Sequence, residues 1–153
     1  LLELLQKIDK TQRPFFQVHP GISSLQLASS LSGAPLTNDF CAISLSDKLT
    51  PWEIIEKRIQ GALQGDFVVA LFNPKSIERD WQLTKTIDSF LKVRKKNTPV
   101  LIARQVGREQ QTIKFFTLET IPIQIINMLS IIIIGNSQTI LKDDIFVTSR
   151  GYR

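Results

Sequence analysis

The sequence predicts an α/β fold with a mixed sheet and flanking helices. Three observations carry that expectation. Continuous apolar runs of strand length stand at Phe67 to Phe72 and Ile131 to Ile134, helix-spaced apolar stripes lie between such runs, and strand-like segments cluster toward the C-terminus. An unbroken apolar run marks a strand covered on both faces. Strands alternating with helices mark layered α/β packing.

In chain order, Leu1, Leu4, Leu5 and Ile8 recur at helical spacing before the breaker Pro14. Phe15 to His19 reads as a short strand stopped by Pro20-Gly21. Ser23 or Ser24 caps a helix with a buried stripe of Leu27, Ala28 and Leu31, closed by Gly33 and Pro35. Phe40 to Leu45 alternates as a strand. Thr50-Pro51-Trp52-Glu53 starts a helix, with Thr50 at the cap, Pro51 in the first turn and Glu53 three residues after the cap. It runs through Ile54, Ile55, Ile59 and Leu63 to Gly65.

Beyond the strand Phe67 to Phe72, a long helix carries Leu83, Ile87, Phe90, Leu91 and Arg94 on one side. Pro99 to Ala103 and Gln111 to Phe116 are strands joined by a turn over Gly107-Arg108-Glu109-Gln110. Thr120 to Met128 reads as a short helix despite its isoleucines. Ile145 to Thr148 is a last edge strand. Trp52 and Trp81 fall on helices as core residues. Lys92, Arg94, Lys95 and Lys96 read as a solvated helix end, where cations suit the macrodipole.

At 153 residues the chain has room for one ordinary domain or two small ones. Its 42% hydrophobic and 22% charged content predicts a soluble globular protein. The longest apolar run is far below the roughly 18 residues that span a bilayer, so no membrane role is expected. A net charge of +5 favours an anionic partner: nucleic acid, phosphates or a polycarboxylated small molecule. One Cys and one His supply no recognisable metal-ligand spacing, so no metal is expected. The single thiol fits a reducing, cytoplasmic setting. No G-x-S-x-G elbow, G-x-G-x-x-G fingerprint or Walker loop occurs. The N-terminus, without an initiator Met or a signal-peptide pattern, reads as the start of a piece of something longer.

Six segments in order are more specific. Val18-His19-Pro20-Gly21-Ile22-Ser23-Ser24 resembles the V-x-P-G-[IV]-[ST]-[SA] segment of the tetrapyrrole methylases. The resemblance narrows through Gly33-Ala34-Pro35-Leu36-Thr37-Asn38-Asp39-Phe40 and through Ile43-Ser44-Leu45-Ser46-Asp47 followed by Leu49-Thr50-Pro51-Trp52-Glu53. It continues in Ala70-Leu71-Phe72-Asn73-Pro74-Lys75-Ser76, Ile134-Gly135-Asn136-Ser137-Gln138-Thr139 and Val147-Thr148-Ser149-Arg150-Gly151-Tyr152. Together these resemble the branch of that family that methylates C-17 of a precorrin, with ring contraction, in cobalamin biosynthesis. The resemblance covers the chain from about Leu1 to Arg153.

Members of the family have two α/β domains and bind S-adenosylmethionine in the cleft between them. Their N-terminal domain supplies a Gly-rich loop and a later G-D-P segment, and this sequence contains neither. The resemblance therefore implies that residues 1–19 end a truncated N-terminal domain and that residues 20–153 form the C-terminal methylase domain. Half of the cofactor site would then be missing and the fragment inactive alone. It further implies precorrin-3B or its cobalt complex as substrate, a homodimer, and no nucleic-acid partner.

The resemblance assigns cofactor contacts to Ser23, Ser24, Leu71, Phe72, Asn73, Gln105, Val106 and Ser130. Ser23 and Ser24 sit where a helix begins, so they either cap it or hold a carboxylate. Leu71, Phe72 and Asn73 end a buried strand, where open α/β sheets place ligands; core packing is the plainer role for the two apolar ones. Met128 and Leu129 either line the same pocket or pack in the core. Asp39 and Asp47 are candidates for substrate contact or proton handling. Arg104 is a further candidate for substrate binding, and with Arg108 and Arg150 it suits acetate or propionate groups. No residue is assigned a catalytic role, because methyl transfer to an enamine-like carbon mainly needs donor and acceptor held in line. Two other readings stand beside this one: an RNA-directed methylase of the same fold, and a non-catalytic nucleotide-binding or dimerisation module.

Overall fold

The computed structural model describes residues 2–76 and 79–151. Leu1 of the first apolar stripe, and Tyr152 and Arg153 at the end of the family-like segments, lie outside the described residues. The helices are α1 (Leu2–Leu5), α2 (Ser24–Ser32), α3 (Trp52–Gln64) and α4 (Trp81–Val93). The strands are β1 (Gly33–Ala34), β2 (Phe40–Ser44), β3 (Val68–Phe72), β4 (Pro99–Arg104), β5 (Thr112–Thr117), β6 (Ser130–Ile134), β7 (Thr139–Lys142) and β8 (Ile145–Thr148).

A five-stranded mixed sheet in the order β2-β3-β6-β4-β5 makes the middle layer. β2 and β3 are parallel, β6 is antiparallel to both β3 and β4, and β5 is antiparallel to β4. Hence β2, β3 and β4 all point the same way. Their carboxyl ends gather at one end of the sheet beside the start of β6. That topology places the site.

Successive side chains alternate between faces, and here both faces are covered. Val69, Leu71, Val100, Ile102, Ile132 and Ile134 pack with Ile55, Ile59, Leu83, Ile87 and Phe90 of α3 and α4. Val68, Ala70, Leu101, Ala103, Ile131 and Ile133 pack instead with Leu25 and Ala28 of α2 and with Phe146 of β8. The isoleucine run is therefore apolar throughout because it has no solvent face; every residue of β6 is buried. Burial of each isoleucine side chain of that run stabilises by about 1.5–3 kcal/mol.

A second, three-stranded sheet in the order β1-β8-β7 closes the α2 side. Gly33 ends α2 at φ 127°, and a Cβ there would meet the Phe146 carbonyl oxygen at 2.8 Å. Only glycine meets both demands.

Several elements depart from expectation. The N-terminal helix is a single turn followed by a 3₁₀ turn at Lys10–Gln12. Phe15 to His19 forms no strand: no described strand runs beside it to complete a ladder, and Phe15 is 93% exposed. α2 turns Leu25, Ala28 and Ser32 inward, whereas Leu31 is exposed, so the buried stripe is rotated from the expected one. Pro51, not Thr50, takes the cap position of α3 and makes no side-chain cap bond. The segment after β5 makes two 3₁₀ turns, Leu118–Thr120 and Ile123–Ile125, in place of a helix; Pro122 between them lacks the N–H that a continuous helix would use. Trp81 is half-exposed and meets Trp52 edge-on at 4.9 Å, so the pair sits at the rim of the core.

Candidate functional site

The chain bends sharply where the parallel strands end. After β3, Asn73 takes a left-handed conformation at φ 49°, and after β4, Gln105 does the same at φ 50°. Left-handed backbone is uncommon outside glycine, with Asn the better-tolerated exception. Asn73 is held by its side chain, whose Nδ2 donates to Ser44 Oγ at 3.0 Å and ties the end of β3 to the end of β2. Gln105 is held by its backbone, since its N–H donates to the Leu129 carbonyl at 3.0 Å. Asn127 and Ser130 close the turn into β6: the Leu129 N–H donates to Asn127 Oδ1 at 2.9 Å, and Ser130 Oγ donates to the same oxygen at 3.3 Å.

The start of α2 faces this end of the sheet. Ser23 is its cap, accepting from the Gln26 N–H at 3.3 Å, while its own N–H donates to Gln26 Oε1 at 2.9 Å. That reciprocal capping box commits the Ser23 hydroxyl to the helix. Ser24, one residue on, lines a cavity of about 190 Å³ together with Phe72, Asn73, Gln105, Val106 and Ser130. Met128, Leu129 and Arg108 also border it. Ligand pockets usually run about 300–1,000 Å³, so this hollow covers only part of a cofactor-sized molecule.

The remaining expected site residues lie elsewhere. Leu71 is fully buried on the α3/α4 face, turned away from the cavity, because consecutive strand residues point to opposite faces. Asp47 is occupied by neighbours: Gln82 Nε2 donates to its Oδ2 at 2.8 Å, and Arg79 Nε stands 3.8 Å from its Oδ1. Asp39 shares a separate open hollow of about 710 Å³ with Arg150. Arg104 ends β4 exposed and outside the cavity lining. Met128 and Leu129 are both half-exposed at 47%, which places them on the cavity rim and not in the core.

Arg79 escaped the sequence reading. It lies in an irregular linker with no periodicity to mark it, yet it is only 6% exposed. Its Nη1 donates to the Leu45 carbonyl at 2.7 Å and to the Asn73 carbonyl at 2.9 Å. Arg94 likewise departs from the solvated helix end that its lysine neighbours suggest. Its side chain is 5% exposed, and it donates to the Phe67 carbonyl at 2.5 Å and to the Gly135 carbonyl. Burial pulls the Arg94 pKa down, opposed by the Asp66 carboxylate and by Cys41. Burial likewise pushes the Cys41 thiol up, partly offset by the Arg94 charge.

Arg94 stands at the opposite end of the sheet, in a hollow of about 700 Å³ shared with Asp66, Asn136, Ser137 and Thr139. There Asn136 Nδ2 donates to the Asp66 carbonyl at 3.0 Å and Ser137 Oγ to the Asp66 carboxylate at 2.5 Å. The Gly135-Asn136-Ser137-Gln138-Thr139 segment is thus a bonded turn between β6 and β7, remote from the cavity.

Comparison with known proteins identifies the fold's relatives. Residues 2–122 match the family described as Tetrapyrrole (Corrin/Porphyrin) Methylases. The chain belongs to the tetrapyrrole methylase family. Among its relatives, a Salmonella typhimurium protein described as a probable cobalt-factor III C(17)-methyltransferase is 40% identical over 99% of this chain and 62% of its own length. A Priestia megaterium cobalt-factor III methyltransferase is 44% identical over 90% of this chain but 25% of its own. The solved structure of the methyltransferase CobJ superposes with a TM-score of 0.90 at 32% identity, covering 97% of this chain and 62% of that one. This methylase chain therefore spans between a quarter and about three-fifths of the length of these three proteins. Its mixed-sheet α/β fold agrees with the sequence expectation and with that neighbour. Among the described residues, no helix is long and apolar enough to cross a membrane.

Proposed function

We propose that this chain carries one wall of the methyl-donor site in an enzyme that methylates C-17 of a precorrin, with ring contraction, in cobalamin biosynthesis. The observation that carries the reading is the cavity at the carboxyl ends of β3 and β4, where Ser24, Asn73, Gln105 and Ser130 converge beside Phe72 and Val106. S-adenosylmethionine, when bound, would supply the activated methyl group. The residues present fit part of it: the first turn of the nine-residue helix α2 suits a carboxylate, and Phe72 with Val106 suits a flat apolar ring. These groups bind and orient; none needs to act as a strong acid or base.

The acceptor in this reading is precorrin-3B or its cobalt complex, supported by relatives named for cobalt-factor III and precorrin-3B C(17) methylation. Those names favour a tetrapyrrole over RNA as the acceptor. Asp39 with Arg150, and Arg104 beyond β4, are the groups we assign to the acceptor side. We assign residues 1–19 to the edge of a preceding domain and residues 20–153 to the methylase domain. The apolar exposure of Phe15, Val18 and Ile22 supports a covering partner there, either that domain or a second subunit in a homodimer. We assign the protein to the cytoplasm, a reducing setting that the free Cys41 thiol suits.

Titration with S-adenosylhomocysteine tests the donor site. A cavity this small predicts millimolar affinity for the chain itself, about −4 kcal/mol. Saturable binding that Asn73→Ala weakens supports the reading. Absence of binding at about ten millimolar, below any useful affinity, overturns it. Transfer of labelled methyl to cobalt-factor III by the longer protein then separates a corrin acceptor from RNA.

A further inference from the structure

We infer that Arg79 is a positioning residue for this cavity, a guanidinium that sets the wall formed by Asn73 and Met128 without touching the ligand. The inference rests on the donor-site reading above.

Arg79 is 6% exposed, buried at the cavity end of the sheet, and its donors reach three segments that meet at the site. Nη1 takes the Leu45 carbonyl just beyond β2 and the Asn73 carbonyl just beyond β3. Nη2 reaches Met128 Sδ at 3.5 Å, ahead of β6. Nε faces Asp47 Oδ1 at 3.8 Å, too long for a hydrogen bond, and has no other partner among the described residues. Asn73 and Met128 line the cavity while Arg79 does not.

A buried charge is tolerated only when its surroundings satisfy it, so the guanidinium and the loop carbonyls fix one another. Asn73 needs such fixing, because its left-handed backbone is one that the loop must impose. Ser44 holds its side chain and Arg79 its carbonyl, which leaves the Asn73 amide one orientation toward the cavity. A lysine carries the same charge but lacks the planar fork that spans two carbonyls and a sulfur.

The chain holds a single methionine, so a ¹³C-methyl-methionine label gives one resonance, on Met128 at the cavity rim. That resonance reads the clamp without ligand, and its displacement on adding S-adenosylhomocysteine reads binding. With Arg79→Leu, which adds no second methionine, the resonance should move and broaden while thermal unfolding stays cooperative, and affinity should fall about tenfold. Arg79→Lys should recover less than half of that loss, and the double variant Arg79→Leu with Asn73→Ala should bind no more weakly than the weaker single variant. Additive losses, or full rescue by Arg79→Lys, overturn the positioning role. A Met128 resonance unmoved in Arg79→Leu, or binding equal to the parent, overturns it as well. If the parent protein shows no ligand-induced displacement, the donor reading fails instead, and the ligand-free resonance still decides whether Arg79 holds the wall.

Discussion

Replacing Leu71 with alanine separates core from site at the end of β3. Leu71 is fully buried, and its strand register sets it between Ile43 on β2 and Ile132 on β6 under α3 and α4. Three carbons leave the core, which costs about 2.4 kcal/mol at about 0.8 kcal/mol per methylene. The surrounding strands are held from both sides and collapse poorly, so a cavity term brings the total to about 3–4 kcal/mol. With an m-value of about 2 kcal/mol/M, the urea midpoint falls by about 1.5–2 M. Trp52 and Trp81 at the rim of the same core provide the fluorescence signal. The native protein carrying Leu71→Ala should bind S-adenosylhomocysteine within about twofold of the parent, a change under 0.5 kcal/mol. Phe72→Ala should do the reverse, because Phe72 is half-buried and borders the cavity. A Leu71→Ala protein of unchanged stability and impaired binding would refute the assignment of this side chain to the core.

Arg94→Met leaves the Phe67 and Gly135 carbonyls without their donor and should cost about 3 kcal/mol, read as a lowered urea midpoint at constant m. The Cys41 thiol, raised by burial, should alkylate more slowly than an exposed cysteine at pH 8, and more slowly still in Arg94→Met, which removes the charge opposing the rise. Because its folded value is raised, Cys41 contributes stability that is complete below the ordinary thiol value and is lost as pH rises through the folded one. A Cys41→Ala variant should therefore flatten the alkaline arm of the stability profile. Asn73→Ala should weaken S-adenosylhomocysteine binding, whereas Lys95→Ala, at the opposite end of the sheet, should leave it unchanged; calorimetry compares them.

The layered fold was legible because burial writes itself into composition. β3 and β6 have no solvent face, so their apolar runs could mean little else, and Ile55, Ile59 and Leu63 of α3 and Leu83, Ile87 and Phe90 of α4 are buried as their spacing implied, although Ile54 is exposed and α4 also buries Gln82 and Thr86. What was not legible depends on partners remote in sequence. Phe15 to His19 has strand composition, but a strand is a pairing, and no described neighbour pairs with it. β7 reads as weakly patterned because Ile140 is 58% exposed and only Thr139 is buried in it, so it exists through its ladder with β8. At the candidate site, strand-end position together with the family resemblance pointed to Asn73, Gln105 and Ser130, which line one cavity. Position could not separate Leu71 from Phe72, since one pleat puts them on opposite faces.

The two buried arginines expose the limit of reading charge as surface. Both lie where strands end and carbonyls lose their ladder partners. Arg79 satisfies Leu45 and Asn73 at the carboxyl ends of β2 and β3; Arg94 satisfies Phe67 and Gly135 at the opposite end. A guanidinium suits this position because its five fixed donors match several carbonyls at once and its weak hydration lowers the cost of burial. Sequence periodicity records which side of an element is apolar, but it does not record which strand ends need a donor. The consequence differs at the two ends. Arg94 stands 3.9 Å from the carboxylate of Asp66, which is itself bonded to Asn136 and Ser137 of the turn after β6, so its work is to close the fold. Arg79 meets a loop with a left-handed Asn73 and a half-exposed Met128, both facing the cavity, so the same chemistry there sets the shape that a ligand would meet.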